Sequence, residues 1–113
     1  MARAPVTSDA FNAIAEPQRR EILSLLRRGE QPVNDVAGAL RIAQPRASKH
    51  LHVLREVGLV RMRKDGRRRL YALEPDGLLP VREWLGGFED FWNQSFMRLE
   101  EYAKELERSE EDK

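Results

Sequence analysis

The stretch AQPRASKHLHVLREVGLVRMRKDGRRRLY, residues 43–71, changes its hydrophobic period once, at Gly58. Before Gly58 the apolar residues recur every three or four positions, which is the spacing of one face of an α-helix. Pro45 suits the first turn of this helix, and Gly58 is a natural end for it. The buried face of the predicted helix consists of Ala47, Leu51 and Leu54, with Val57 nearby.

After Gly58 the pattern alternates, as it does in β-strands. Asp65 and Gly66 separate two alternating segments, and an Asp-Gly pair favours a hairpin because the turn needs a positive φ. The tip of the predicted hairpin, RKDGRRR at 63–69, is almost entirely cationic. In the first segment Val60 and Met62 alternate with Arg61 and Arg63, and in the second Leu70 and Ala72 alternate with Arg69 and Tyr71.

Three further helices are predicted upstream, in the segments DAFNAIA, PQRREILSLLRRGE and VNDVAGAL. Gly38 inside the third either weakens that helix or allows close packing against a neighbouring element. A short break at 41–43 separates this helix from the basic one that follows it. Two helices joined in this way predict a helix-turn-helix at about residues 33–57, and the hairpin at about 59–73 is then a wing.

Charge is unevenly distributed along the chain. Residues 41–73 contain ten Arg or Lys and two acidic residues, a net of +8 in a chain whose formal charge is +1. The tail, 99–113, contains seven acidic residues and three basic ones. A basic block in a nearly neutral chain indicates a polyanionic partner, with double-stranded DNA as the first candidate, whereas the alternative is a solvated charged face.

The length of 113 residues predicts one domain over 1–113, and the absence of cysteine excludes disulfides, thiolate metal sites and thiol redox switches. The start, MARAPVTSDA, lacks the apolar run of a secretory signal. No stretch approaches the roughly 20 apolar residues that a membrane span needs. We therefore expect a cytoplasmic protein that has no association with a membrane.

An enzyme is not expected. The sequence has no Ser-His-Asp or Cys-His constellation, no phosphate loop and no glycine-rich cofactor turn. Glu16, Asp35 and Glu56 are interpreted as capping or surface groups.

The last helix is predicted at about residues 80–108, with Gly86 and Gly87 either bending or loosening its start. Its apolar residues follow steps of three and four, which is a heptad seam. Part of so apolar a helix should pack on its own core, and part should pair with a second copy, although the aromatic cluster could instead line a ligand pocket. The seam is Leu85, Phe88, Trp92, Ser95, Leu99, Tyr102 and Leu106, widened by Trp84, Phe91 and Phe96.

The segments AIAEPQRREILSLL, VNDVAGAL, AQPRASKHLHVLREVGLV and RKDGRRRLYAL stand in the order and spacing of the arsenic-repressor-like (ArsR-type) transcriptional regulators. The chain resembles that family over roughly residues 9–100, most specifically in S-K-H-L-x-V-L-R-E-x-G-L-V. The resemblance implies a mainly α fold with a small β-hairpin wing, and a bacterial repressor that dimerises through its first and last helices. The implied interface comprises Phe11, Leu85, Phe88, Trp92, Leu99 and Tyr102.

The exposed face of the helix over 44–56 would read DNA. Gln can pair with adenine and Arg with guanine in the major groove, both through two hydrogen bonds. By resemblance, Gln44, Ser48 and Lys49 match the family's DNA-contacting positions, and Lys64, Arg67 and Arg68 match its wing. Arg46 and His52 are added candidates on the helix, and Arg61, Arg63 and Arg69 are either wing contacts or a solvated strand face.

No metal site and no cofactor are expected. The family's thiolate site lies near VNDVAG, where this chain has no cysteine, and its other site uses histidines of the last helix, which here has none. His50 and His52 are two positions apart on a helix and cannot share one ion. By resemblance, His50 is either structural or directed at a phosphate.

The expected function is therefore a sequence-specific, metal-independent homodimeric repressor that binds an inverted-repeat operator. The alternative is a winged-helix module that binds nucleic acid without specificity or interacts with another protein. An effector, if one exists, would be an unknown small molecule or protein.

Overall fold

The computed structural model describes the backbone of residues 6–111 and the side chains of residues 10–111. The described chain is mainly helical, with one three-stranded antiparallel sheet, and it divides into two units, residues 1–81 and 82–113. The elements are α1 (Val6–Ile14), α2 (Pro17–Leu26), β1 (Gln31–Pro32), α3 (Val33–Leu40), α4 (Gln44–Glu56), β2 (Val60–Asp65), β3 (Arg68–Leu73), a 3₁₀ turn (Pro75–Leu78), α5 (Leu79–Gly86) and α6 (Glu89–Glu111). A mainly α fold with a hairpin wing is confirmed.

The core of the first unit is built around α4. Ala47, Leu51 and Leu54 each have 0% of their surface exposed, so the predicted buried stripe is confirmed. A leucine buried in this way contributes roughly 1.5–3 kcal/mol relative to an exposed one. The stripe packs in one cluster with residues of α1, α2, α3 and the sheet, among them Ala10, Ile22, Leu26, Val36, Leu59 and Tyr71.

Helix α4 ends at Gly58, as predicted. Gly58 has a φ of 80°, in the left-handed region that favours glycine. The next amide, Leu59 N–H, donates to the carbonyl of Leu54 at 2.9 Å, and the Leu59 side chain is fully buried. This arrangement is a Schellman motif, which satisfies a carbonyl at the end of the helix and leads the chain directly into β2.

Helix α3 ends in the same motif with a less favourable residue. Arg41 has a φ of 57° and a ψ of 45°, and Ile42 N–H donates to the Ala37 carbonyl at 3.1 Å. A left-handed conformation costs a non-glycine residue roughly 1–2 kcal/mol. Residues 41–43 form the turn between α3 and α4, so the predicted helix-turn-helix is present with a strained turn.

The register of the wing is set by a two-residue loop. Asp65 pairs with Arg68, so the loop is Gly66–Arg67, with Gly66 at a φ of 64°. Met62 consequently pairs with Tyr71, and directly paired residues of antiparallel strands share a face. Tyr71 and Leu73 therefore lie on the same face as Met62 and Val60, and Leu70 and Ala72 lie on the other face.

A short third strand, β1, was not predicted. Gln31 pairs with Tyr71 and Pro32 with Leu70, which places β3 in the centre of the sheet in the order β1-β3-β2. The proline lies on an edge strand, where its missing N–H removes no ladder hydrogen bond to a further strand. Strand β1 joins the wing to the start of α3.

The second unit contains a break that divides the predicted last helix. Helix α5 ends at Gly86 and α6 begins at Glu89, where one helix over 80–108 was expected. The bend expected at Gly86 and Gly87 is thus a complete interruption, and α6 continues to Glu111. The break keeps the aromatic residues in contact: the Trp84 and Phe88 ring centroids are 5.1 Å apart, and those of Phe88 and Trp92 are 6.1 Å apart.

Two glycines of the first unit have opposite surroundings. A Cβ at Gly77 would overlap the carbonyl oxygen of Gly58 and lie 3.0 Å from the Cα of Leu59. A Cβ at Gly38, inside α3, would have no heavy atom within 4 Å. The expectation that Gly38 could allow close packing is therefore wrong, because the space beside it is open. Gly77 is the glycine that a neighbouring segment of backbone approaches closely.

We predict that Gly77→Ala lowers the free energy of unfolding by about 1–3 kcal/mol, since backbone must move to admit the methyl group. Gly38→Ala is the matched control and should raise it by about 1 kcal/mol, because alanine favours a helix interior. Urea unfolding of both variants at one protein concentration measures these changes. Equal effects of the two substitutions would contradict the packing described at Gly77.

Candidate DNA-binding surface

Helix α4 presents its predicted DNA-contacting residues on more than one side. Residues three or four positions apart share a face, so Gln44 and Ser48 lie on one flank and Arg46 and His50 on the other. The buried stripe separates these flanks on the core side. Of the five residues predicted on this helix, Gln44, Arg46, Lys49 and His52 are exposed and Ser48 is half-buried.

The first flank of α4 borders a cleft of about 420 Å³, called here the wing-side cleft. The wing contributes Arg67, Arg68 and Arg69, and α4 contributes Gln44. Asp35 is the one carboxylate among the lining residues, so cationic side chains predominate. The remaining lining residues come from β1 and the start of α3 and are Pro32, Val33 and Asn34.

The second flank borders a cleft of about 510 Å³, called here the α2-side cleft. It contains three cationic residues, Arg19 from α2 and Arg46 and Lys49 from α4, against one carboxylate, Glu16. Glu16 caps α2 by accepting a hydrogen bond from the amide of Gln18 at 3.4 Å. The lining is completed by Gln18, His50 and Val53.

His50 connects α4 to the start of α2. Arg19 Nε donates to His50 Nδ1 at 3.4 Å, and Nε2 of the same ring lies 2.9 Å from Gln18 Oε1. Because Nδ1 accepts, the proton lies on Nε2, and the ring is neutral. Desolvation by burial, followed by the charge of Arg19, holds the pKa of His50 below its ordinary value of 6.5. A structural role for His50, one of the two alternatives from the sequence, is consistent with these contacts.

Carboxylates neutralise the two arginines on the stem of the wing. Arg63 binds Glu30 through two nitrogens, with Nη2 to Oε1 at 2.7 Å, and this pair lowers the pKa of Glu30 and raises that of Arg63. Arg61 Nη1 lies 3.1 Å from Glu74 Oε1. The stem arginines are therefore engaged within the protein, while Arg69 lines the wing-side cleft.

The tip of the wing is solvent-exposed. Lys64 and Arg67–Arg69 are all exposed, and Arg68 Nη2 lies 3.7 Å from Asp65 Oδ2. An exposed pair at that distance is worth about 0–1 kcal/mol, so it leaves Arg68 able to exchange Asp65 for another anion.

The structure brings the predicted residues to separate places. Gln44, Arg67 and Arg68 meet at the wing-side cleft, and Arg46 and Lys49 meet at the α2-side cleft. His52 lies next to Glu56, with Nε2 3.8 Å from Oε1, and Lys64 is on β2.

Sequence reasoning missed Arg19, whose only signal was the basic pair in EPQRR at the start of α2.

Within the described part of the chain, no group of three or more His, Cys, Asp or Glu residues could hold a metal ion. The same residues include no buried polar or charged side chain. None of the described helices is long and apolar enough to cross a membrane.

Known proteins resemble this chain in sequence and in fold. The family model for bacterial regulatory proteins of the arsR family matches residues 16–62. The HTH-type transcriptional regulator Rv2034 of Mycobacterium tuberculosis is 35% identical over 103 residues, covering 91% of this chain and 91% of that protein. The transcriptional repressor SdpR of Bacillus subtilis is 31% identical over 81 residues, covering 72% of this chain and 90% of its own.

Solved structures of ArsR-family regulators also resemble this chain in fold. The crystal structure of an ArsR family transcriptional regulator has a TM-score of 0.69 at 34% identity and covers 79% of this chain and 98% of that one. A homodimeric winged helix-turn-helix DNA-binding domain from Mycobacterium bovis, a possible ArsR-family regulator, has a TM-score of 0.63 at 26% identity and covers 80% and 91%.

The helix-turn-helix, the hairpin behind it and the basic surface that they share define a winged helix-turn-helix DNA-binding protein. The relatives Rv2034 and SdpR, which this chain matches over nearly their whole length, are transcriptional regulators and so identify the kind of DNA-binding protein. The chain belongs to the ArsR family of bacterial regulatory proteins and is a DNA-binding transcriptional regulator.

We predict that the protein loses stability as the pH falls below 6.5, the ordinary pKa of histidine, because the unfolded chain then binds a proton that folded His50 does not. His50→Gln should remove this contribution and flatten stability against pH between about 7.5 and 5.5. Urea unfolding across that range measures it, with His52→Gln as the matched control. The contacts assigned to neutral His50 would be wrong if His50→Gln kept the wild-type slope.

Proposed function

We propose that the protein is a homodimeric repressor that binds an inverted-repeat operator without a metal ion. The observation that carries the proposal is the exposed seam of the second unit. Leu99 is 62% exposed and Tyr102 61% exposed in the single chain. Large apolar side chains that are exposed along one helix mark an interaction site, and a second copy of the seam is its simplest complement.

The proposed interface comprises the seam and the first helix. The residues proposed for it are Phe11, Leu85, Phe88, Trp92, Leu99 and Tyr102. Dimerisation is supported by the homodimeric state of the similar domain from Mycobacterium bovis. A two-fold dimer presents two α4 helices about one helical turn of DNA apart, which is why an inverted repeat is the proposed operator.

Independence from metal is proposed from the chemistry of the side chains. The chain has no cysteine, and α6 has no histidine, so thiolate and imidazole ligands are missing from both elements where the family resemblance would place a site. Carboxylates alone favour hard cations rather than the softer transition metals. An effector, if the protein has one, is proposed to be an organic molecule or a protein.

Repression is proposed to follow from occupancy of a promoter. The relative SdpR is a transcriptional repressor, and a dimer bound across a promoter excludes polymerase. Since its partner is DNA, the protein is proposed to act in the cytoplasm. It is also proposed to have no catalytic activity.

The DNA contacts are proposed to divide between bases and phosphates. Gln44, Ser48 and His52 are near the major groove when α4 enters it, and Gln44 can pair with adenine through two hydrogen bonds. Lys64, Arg67 and Arg68 at the wing are proposed to contact the backbone. Phosphate contacts set affinity and salt dependence, and base contacts set sequence choice.

The dimeric, metal-independent function predicts the outcome of a selection from random duplex DNA with purified protein and a chelator. An inverted repeat with half-sites about one helical turn apart should be recovered. A single half-site, or a repeat recovered only when metal is added, would contradict the proposal. Recovery of no sequence at all would favour the alternative of a nonspecific or protein-binding module.

We predict that Gln44→Ala weakens operator binding by about 1–3 kcal/mol and relaxes base preference at one position, because a two-hydrogen-bond contact is lost. The double variant Arg67→Ala/Arg68→Ala should instead weaken binding to all sequences and flatten the dependence of affinity on salt. Titration of operator and random duplexes over a range of salt measures both effects. Identical behaviour of the two variants on every duplex would contradict the division between helix and wing.

A further inference from the structure

The α2-side cleft holds charge that the protein itself does not neutralise. Arg46 and Lys49 are exposed, and no ion pair or hydrogen bond joins either side chain to another residue of the described chain. Glu16, the one carboxylate of the lining, is engaged as the cap of α2. The cleft is therefore open and cationic, unlike the stem of the wing, where Arg61 and Arg63 are paired.

Arg19 is fixed in this cleft by contacts from two directions. Its Nε donates to His50 Nδ1, and its Nη1 donates to the carbonyl of Ala13 at 3.4 Å. These bonds leave Nη2 without a hydrogen-bond acceptor among the described residues. The neutral ring of His50 thus orients a guanidinium without cancelling its charge.

The two clefts lie on opposite flanks of α4. Gln44 borders the wing-side cleft and Arg46 the α2-side cleft, and residues two positions apart point to different sides of a helix. An α-helix with its side chains is about 10–12 Å across, and the major groove is about 12 Å wide. A helix that fills the groove therefore brings each of its flanks close to one of the two phosphate backbones.

We propose that the α2-side cleft is a second phosphate-binding site, which holds a phosphodiester of the strand across the groove from the wing. Arg46 and Lys49 bind the phosphate oxygens, and Arg19, oriented by His50, donates from Nη2. This inference rests on the proposed entry of α4 into the major groove. It assigns Arg46 to the backbone, where the sequence suggested that it could read guanine.

The first test is the salt dependence of binding by Lys49→Ala and Arg46→Ala. Each lost phosphate contact should reduce the slope of log affinity against log salt by about 0.9, so the loss of affinity between 50 and 200 mM salt should become about threefold smaller per contact. The same change is expected on the operator and on a random duplex, because a phosphate contact carries no sequence information.

Lys104→Ala is the matched control, since Lys104 is an exposed cation on the polar side of α6, and its slope should equal that of the wild type. An unchanged slope for both cleft variants would overturn the proposal. So would a loss by Arg46→Ala that is confined to the operator, because that result would make Arg46 a base-reading residue. The random duplex keeps this test valid even if no operator exists, which distinguishes its failure from that of the proposed function.

The second test locates the contact on the DNA. Neutral methylphosphonates placed singly along both strands of the selected operator should weaken wild-type binding at two sets of positions, one on each side of the groove. Lys49→Ala should become insensitive at one set only, and Arg67→Ala/Arg68→Ala at the other set only. Insensitivity of both variants at the same positions would show that the two clefts do not contact different strands.

Discussion

Burial of Ala47, Leu51 and Leu54 fixes the rotation of α4 about its own axis, and the rest of the DNA-binding surface depends on that rotation. With this stripe against the core, Gln44 can only border the wing and Arg46 can only border α2. If α4 were rotated about its axis by one residue position, a charged residue would be buried and a leucine would be exposed. Both changes are unfavourable. The Schellman motif at Gly58 adds a second constraint, because it places the buried Leu59 directly after the helix and so fixes where the wing begins.

The wing is anchored in the core by Val60 and Tyr71, and hydrogen bonds and charge pairs add to its orientation. The ladder to β1 ties it to the start of α3, and the pair between Arg63 and Glu30 ties its stem to the segment after α2. These pairs also separate the cations by role. Arg61 and Arg63 are satisfied by carboxylates, whereas Lys64 and Arg67 at the tip remain exposed for a polyanion. Some arginines of the basic block therefore stabilise the fold, and the cations at the tip of the wing remain free to bind DNA.

Local spacing made much of this surface predictable. The stripe of α4, its end at Gly58 and the hairpin around Gly66 each depend on residues near one another in sequence. The register of the wing depends on the length of the loop, and a loop one residue longer would have put Ala72 opposite Met62. The two-residue strand β1 is too short to have a pattern of its own. The α2-side cleft could not be predicted from local spacing, because Arg19 and His50 are 31 positions apart in the sequence.

The central claim is that α4 enters the major groove with a cationic cleft on each flank. Hydroxyl-radical footprinting of both strands of the selected operator tests it most directly. Each half-site should be protected on both strands, at the two backbones that border one major groove, and the two-fold axis should repeat the pattern. Protection of one strand alone within each half-site would contradict the account, because the α2-side cleft would then have no backbone to bind.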